Sequence, residues 1–348
     1  MSKIAKALRI NGNVIPPGTR ASMDVPIGRL HTHTPVTMPV HIIHSKKPGP
    51  RLFVCAAVHG DEIIGVEVIR RLLKLPVMDN LRGALIAVPV VNVLGFIHHT
   101  RYLPDRRDLN RSFPGSEKGS LTARLAHLFM REIVANATHG IDIHSGTVHR
   151  CNLPQIRANL SDPETARLAH AFDVPVLLNA NVRDGSLRQV AAEQGIPMLL
   201  YEAGEALRFD EMSILAGVRG IVGVMRALEM LKPSKKARPA GNPLIATSST
   251  WIRAPQSGIL RTLTELGRYV HKGELLGMIA DPFGLQEVEI IAPAEGMIIG
   301  HINLPLVNEG EALFHLARVE KRPGKITDPG AAEELSPYLS DESPIMSD

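Results

Sequence analysis

Two cysteines in 348 residues are too few for a disulfide framework. Cys55 falls in an expected core strand and Cys151 just after another, and both are read as reduced thiols. Aromatic residues make up only 4% of the chain, and no run of lysine and arginine carries aromatics between its charges, so a nucleic-acid partner is not expected. No segment approaches ~20 uninterrupted apolar residues, and residues 1–14 hold basic side chains without the continuous apolar stretch of a secretion signal. A cytoplasmic protein with no membrane partner follows. Charge is unremarkable: 21% charged residues, a net charge of +4 and 44% hydrophobic residues suit a globular chain.

The pattern of elements divides the chain into five parts. Residues 1–50 hold short extended segments broken by Pro16, Pro17, Pro26, Pro35 and Pro39, read as strands leading into a main sheet. From 51 to 231, strands expected at 52–58, 84–91, 140–144, 175–178 and 197–203 alternate with helices at 66–75, 121–135, 163–172, 187–194 and 210–231. Such alternation argues for an α/β domain: a mostly parallel mixed sheet with helices on both faces. Residues 232–250 read as a linker around the run KPSKKARPAGNP, and 251–320 hold five short alternating runs separated by turns, expected to form a small all-β barrel or sandwich. Residues 321–348, rich in Pro, Ser, Asp and Glu, are expected to be a disordered tail.

Ligands in open α/β sheets sit outside the carboxyl ends of the strands. His59, Asn92, His144 and Glu202 all fall at such ends. His59 and Glu62 lie in AAVHGDEIIG, a turn between strand and helix, and an imidazole and a carboxylate at that spacing are ligand types zinc accepts. The pair alone is a weak signal, since about one such spacing is expected by accident among 15 histidines, and His271 with Glu274 repeats it in a hairpin turn. His144, two residues after Asp142 on one strand face, changes the weighing. Two imidazoles and one carboxylate, with a fourth position for water, make a hydrolytic zinc centre with one Zn²⁺ per chain. His31 and His33 also share a face, but no carboxylate is near them and they read as a solvated edge.

The stretch RYLPDRRDLNRSFPG supplies polar groups of a different kind. Asn110 and Arg111 offer amide and guanidinium donors side by side, suited to a substrate carboxylate. Asp108 could accept the outward N–H of a metal-bound imidazole. Glu202 ends an apolar strand, where a buried carboxylate is costly unless paired or functional, and it is preferred over Glu205 as the base that takes a proton from water.

HGDE at 59–62, RDLNRSFPG at 107–115, DIHSG at 142–146 and YEAGE at 201–205, in that order, resemble the succinylglutamate desuccinylase/aspartoacylase family, a branch of the zinc carboxypeptidase-like metallohydrolases. The resemblance covers about residues 35–230. It implies zinc on His59, Glu62 and His144, Glu202 as general base, and Asn110 with Arg111 on the substrate carboxylate. It also implies an oxyanion-stabilising arginine shortly before the Asp-Leu-Asn-Arg motif. Arg101 matches best, and two extra residues before Asn110 leave Arg106 and Arg107 as alternatives.

Residues 251–317 resemble a biotinyl/lipoyl-type barrel, but the turn Asp281-Pro282-Phe283-Gly284 lacks the lysine that would carry a prosthetic group. A role as lid, substrate restrictor or oligomerisation unit is expected instead, with homo-oligomerisation left open.

The activity that follows is that of a zinc-dependent amidohydrolase, a hydrolase of a non-peptide C–N bond, acting on a small N-acyl amino acid. Two alternatives stand beside it: carboxypeptidase-like removal of a C-terminal residue from a peptide or γ-glutamyl chain, and a noncatalytic zinc-containing module that binds a small carboxylate.

Overall fold

The strands of the central sheet divide their side chains between two cores. The computed structural model describes residues 5–180, 184–234 and 242–318. In the strand Arg51–Ala56, Leu52, Val54 and Ala56 join one buried cluster, with Ile64, Val68 and Leu72 of the helix Ile64–Leu72. Phe53 and Cys55 join the other, with Leu125 and Phe129 of the helix Leu121–Glu132. This period of two is what a sheet covered on both faces requires. Helices Pro163–Phe172 and Glu211–Ala227 complete the first layer, and Leu187–Glu193 belongs to the second.

The helices begin where the sequence offers caps. Ser120, Asp162, Ser186 and Asp210 each accept a hydrogen bond from the backbone N–H three residues on, satisfying a donor that the first turn leaves unpaired.

Strand His139–Gly146 pairs in parallel with Arg51–Ala56 on one side and Met198–Glu205 on the other, and Arg51–Ala56 runs parallel to Ala84–Val88. Antiparallel strands flank this block: Pro35–His44 and then Thr19–Arg29 at one side, Arg150–Ala158 at the other. The α/β mixed sheet with helices on both faces is therefore present. The carboxyl ends of its four central parallel strands open on one rim.

Several local expectations change. The helix expected at 66–75 is Ile64–Leu72, which puts Glu62 on the turn just before it. Leu8–Ile10 and Asn13–Ile15 pair only with each other, so the first two extended segments do not join the main sheet. The span read as a linker holds strands in its described part: Leu244–Ala246 pairs in parallel with Val176–Asn179, and Ser248–Arg253 pairs with Ala312–Arg318. Residues 235–241 and the tail from 319 onward lie outside the described residues.

The strand Arg150–Ala158 was not expected, because Pro154 interrupts it. The structure resolves the conflict with a register shift between Glu202 and Gly204 of the neighbouring strand, opposite Pro154, where a missing N–H is tolerated. Its other edge pairs with Gly296–Ile302, bringing Gly300 opposite Asn152. The C-terminal strands thus continue the central sheet, and a second sheet of Glu287–Ile291, Leu275–Ala280, Gly258–Thr262 and Leu306–Val307 packs with them around Leu276, Ile279 and Phe314. Among the described residues, no helix is long and apolar enough to cross a membrane.

Candidate active site

The strand Arg51–Ala56 ends in a tight turn that begins at Ala57, whose φ is 50°. Gly60 follows His59 because nothing larger fits: a Cβ there would stand 2.0 Å from the backbone of Gly95. The Gly60 N–H also donates to the Arg101 carbonyl at 3.4 Å, tying the histidine turn to the arginine loop. Asn92 is part of the same scaffold: it caps the short helix Val93–Ile97 and donates to the Arg101 carbonyl.

His59, Glu62 and His144 are buried and offer ligand atoms that all lie within 4.8 Å of one another. Nδ1 of His59 is 2.7 Å from Glu62 Oε1, and Nδ1 of His144 is 2.7 Å from Oε2 of the same carboxylate. The outward nitrogens are also held. Nε2 of His59 lies 3.0 Å from Asp108 Oδ1, and Nε2 of His144 lies 2.7 Å from Asp142 Oδ2. A proton on each Nε2 leaves the Nδ1 lone pairs directed at the space Glu62 faces, which is the arrangement a metal-binding imidazole needs.

The electrostatics favour a cation there. Burial opposes charge on all three groups, yet the two imidazoles outweigh it and hold the Glu62 carboxyl well below its ordinary range. Against the same burial, Asp142 and Glu62 push His144 well up, and Glu62 and Asp108 push His59 up. Three carboxylates around two imidazoles thus form a centre that attracts positive charge. Two nitrogens and one carboxylate are a fitting donor set for zinc.

The remaining candidates surround this centre. Arg101 donates to Glu62 Oε1 at 2.8 Å and to Asp108 Oδ2 at 3.3 Å. Asn110 accepts from the Leu187 N–H through Oδ1 at 2.9 Å, which leaves its amide nitrogen for a ligand. Glu202 stands opposite His144 in the strand register, with Oε2 2.5 Å from Arg157 Nε. His59, Glu62, Arg101, Asn110, Arg111, His144 and Glu202 line one cavity of about 500 Å³, and Asp108 sits behind it. Arg106 and Arg107 are exposed and do not line it. His31 and His33 lie in an exposed turn, and His271 meets Glu274 through its backbone, its N–H donating to Glu274 Oε2 and its carbonyl accepting from the Glu274 N–H.

Sequence reasoning missed part of the wall. Arg150, Asn152 and Arg157 come from the unrecognised strand, Arg188 from the first turn of Leu187–Glu193, and Trp251, Arg253 and His315 from the C-terminal strands. Ser249, Trp251 and Arg253 face the cavity by strict alternation along Ser248–Arg253. That alternation is a legible signal, but it straddles the boundary between the expected linker, 232–250, and the expected β domain, 251–320. The Trp251 ring stacks on His315 at 4.5 Å and 7°, and the Arg150 guanidinium lies 5.6 Å from the Trp251 ring.

The succinylglutamate desuccinylase/aspartoacylase catalytic-domain family model matches residues 48–228, the part of the chain that holds His59, Glu62, Arg101, Asp108, Asn110, Arg111, His144 and Glu202. The chain belongs to this family. An N-alpha-acetyl-L-2,4-diaminobutyric acid deacetylase from Halomonas elongata is 26% identical over 301 residues, covering 83% of this chain and 88% of its own. Two solved structures share the fold. The product-bound ectoine utilization protein EutE (DoeB) from Ruegeria pomeroyi has a TM-score of 0.76 at 23% identity, over 86% of this chain and 95% of its own. A succinylglutamate desuccinylase/aspartoacylase from Rhodobacter sphaeroides has a TM-score of 0.76 at 24% identity, over 87% and 96%. In this member of the succinylglutamate desuccinylase/aspartoacylase family, the C-terminal strands close one side of the cavity that the catalytic sheet opens.

Proposed function

We propose that the chain is a zinc-dependent deacylase that hydrolyses the amide of a small N-acyl amino acid to a carboxylate and a free amine. The observation that carries this reading is the cavity that gathers His59, Glu62 and His144 with Glu202, Arg101, Asn110 and Arg111. Membership of a family that includes the Halomonas elongata deacetylase supports the reaction class.

Zinc held by His59, Glu62 and His144 would supply a Lewis acid for the acyl carbonyl and lower the pKa of water towards ~7. The side chains do the rest. Asn110 and Arg111 hold the α-carboxylate and fix the amide before chemistry begins. Glu202 accepts a proton from the attacking water and returns it to the leaving nitrogen, so the C–N bond breaks with the amine neutral. Arg101 donates to the oxyanion that forms as the carbonyl is attacked, an effect typically worth several kcal/mol. Two of its donors engage Glu62 and Asp108, and a guanidinium has others to give.

The size of the cavity favours a small substrate over a peptide. Ser249, Trp251, Arg253 and His315 wall the cavity from the C-terminal strands, and Trp251 stacks on His315. A noncatalytic module would have no use for Glu202 on the cavity wall. The test is release of free amine from a panel of N-acyl amino acids by zinc-loaded protein, with C-terminally unblocked peptides run in parallel. Hydrolysis confined to peptides would replace this reading with the carboxypeptidase one, and no turnover of either with zinc bound would remove the enzyme altogether.

A further inference from the structure

The hairpin that joins Leu275–Ala280 to Glu287–Ile291 turns through Asp281-Pro282-Phe283-Gly284-Leu285. Phe283 is 84% exposed and Leu285 83%, more than any other large apolar side chain among the described residues. The turn is nonetheless fixed. Asp281 Oδ1 accepts from the Phe283 N–H at 2.7 Å and the Leu285 N–H at 3.3 Å, and its Oδ2 accepts from the Gln286 N–H at 2.8 Å. A tip held in this way has little ordering left to lose when it binds, and an aromatic on such a tip is a ready interface anchor. The apolar surface continues on the same sheet, where exposed Ile259 pairs with exposed Leu306 and exposed Leu275 with exposed Ile291.

A recess of matching character lies elsewhere on the chain. Leu94, Tyr102, Leu103 and Pro104 line most of a cavity of about 340 Å³, and Arg106 lines it too. Such a volume falls in the roughly 300–1,000 Å³ range of ligand pockets and suits a phenylalanine with a leucine. Arg106 and Arg107 are exposed, and neither has an ion pair among the described residues; Asp105, the acid beside them, is turned to Thr122. On the strand that follows the tip, Glu287 and Glu289 are exposed and likewise without an ion pair among the described residues. An apolar tip with acids thus has its complement in an apolar recess with guanidinium groups.

We propose that the tip bearing Phe283 and Leu285 on one copy of this chain seats in the recess at residues 94–106 of a second copy, with Glu287 and Glu289 facing Arg106 and Arg107 across the contact. The tip stands in water in its own chain, so its own recess is left for a neighbour's. The recess follows the segment that carries Arg101: Thr100 and Tyr102 line it, while Arg101 between them lines the cavity of His59, Glu62 and His144. A docked copy therefore braces that segment from the side away from the cavity. One tip buries little against the roughly 1,000 Å² of a stable interface, so two tips exchanged about a twofold axis form the assembly.

Sedimentation velocity of the full-length chain over a concentration series reads the assembly without any measurement of turnover, so its result stands apart from the deacylase reading. The wild type is expected to sediment as a dimer that dissociates on dilution. Phe283→Ser combined with Leu285→Ser is expected to weaken the association about tenfold or more. Both side chains lie in water in the single chain, so the fold is retained, with circular dichroism as the control. Glu287→Arg and Arg106→Glu are each expected to weaken association several-fold, and a chain carrying both is expected to recover most of the loss, because the exchanged charges face each other again. A chain that is monomeric at every concentration overturns the proposal, as does an association untouched by the tip variant. An association lost with the tip but indifferent to Arg106→Glu and to Tyr102→Ser overturns it too, since the tip then seats on another surface.

Discussion

Arg157 Nε lies 2.5 Å from Glu202 Oε2 across two antiparallel strands, and His144 faces Glu202 from the parallel strand on the other side. The carboxylate is thereby held at the cavity wall by a neighbour that cannot lose its charge. Glu202→Gln keeps the shape and removes the proposed base. Metal content should be unchanged, while kcat falls by about 10²–10⁴-fold. Elemental analysis alongside amine release checks both halves, and a Gln variant that turns over normally would take Glu202 out of the reaction.

Asp142 accepts from His144 on one oxygen at 2.7 Å and from the Cys55 thiol on the other at 3.4 Å. It does not line the cavity that holds His144, so its contribution passes through the orientation of that imidazole. Asp142→Asn can present its NH₂ to Nε2 and favour the wrong tautomer. Zinc affinity is expected to drop by about 10–100-fold with the fold retained. Competition against a chromophoric chelator, with circular dichroism as control, measures this. An affinity equal to wild type would mean that Asp142 is only a buried polar residue.

The proposed metal-holding trio was readable because each residue lies on a strand end or the turn after it, where short-range pattern is enough. His59 and Glu62 follow the apolar run of Arg51–Ala56, and Asp142 with His144 falls on one face by alternation. The outer wall was not readable in this way. Arg150, Arg157 and Arg253 reach the cavity through strand pairings between residues from about 40 to about 150 apart in sequence, and Pro154 disguises the strand that carries the first two. Nothing local in sequence announces that a C-terminal strand will add to the edge of a catalytic sheet.

Glu67 offers a test of stability that leaves the cavity alone. Its carboxylate accepts from Arg70 at 2.5 and 2.6 Å and from Arg71 at 2.7 Å, and Arg71 also pairs with Glu211, joining Ile64–Leu72 to Glu211–Ala227. Chiefly because of the Arg70 hydrogen bonds, its pKa falls from 4.5 to about 2. A depressed carboxylate pKa stabilises the fold above the unfolded value, and that stabilisation is lost as pH drops from about 4.5 through about 2. Glu67→Gln should cost about 1 kcal/mol or less at pH 6, and the gap to wild type should close by about pH 2. Denaturant titrations across that range check it; a gap that is constant with pH would assign the loss to packing rather than charge.

Gly300 bears on whether the C-terminal strands belong to the site or merely adjoin it. It pairs with Asn152 on one side and His315 on the other, and both of those residues line the cavity. A Cβ at 300 would stand 2.8 Å from Asn152 Oδ1 and 3.2 Å from His315 Cβ. Gly300→Val therefore has to push the two side chains apart. Overpacking of this kind typically costs about 1–3 kcal/mol. If His315 supports Trp251 as a wall of the substrate cavity, the displacement should also raise KM several-fold while zinc content stays at the wild-type level, because His59, Glu62 and His144 lie on other strands and turns. A destabilised variant with unchanged KM would show that the seam holds the two sheets together without shaping the cavity.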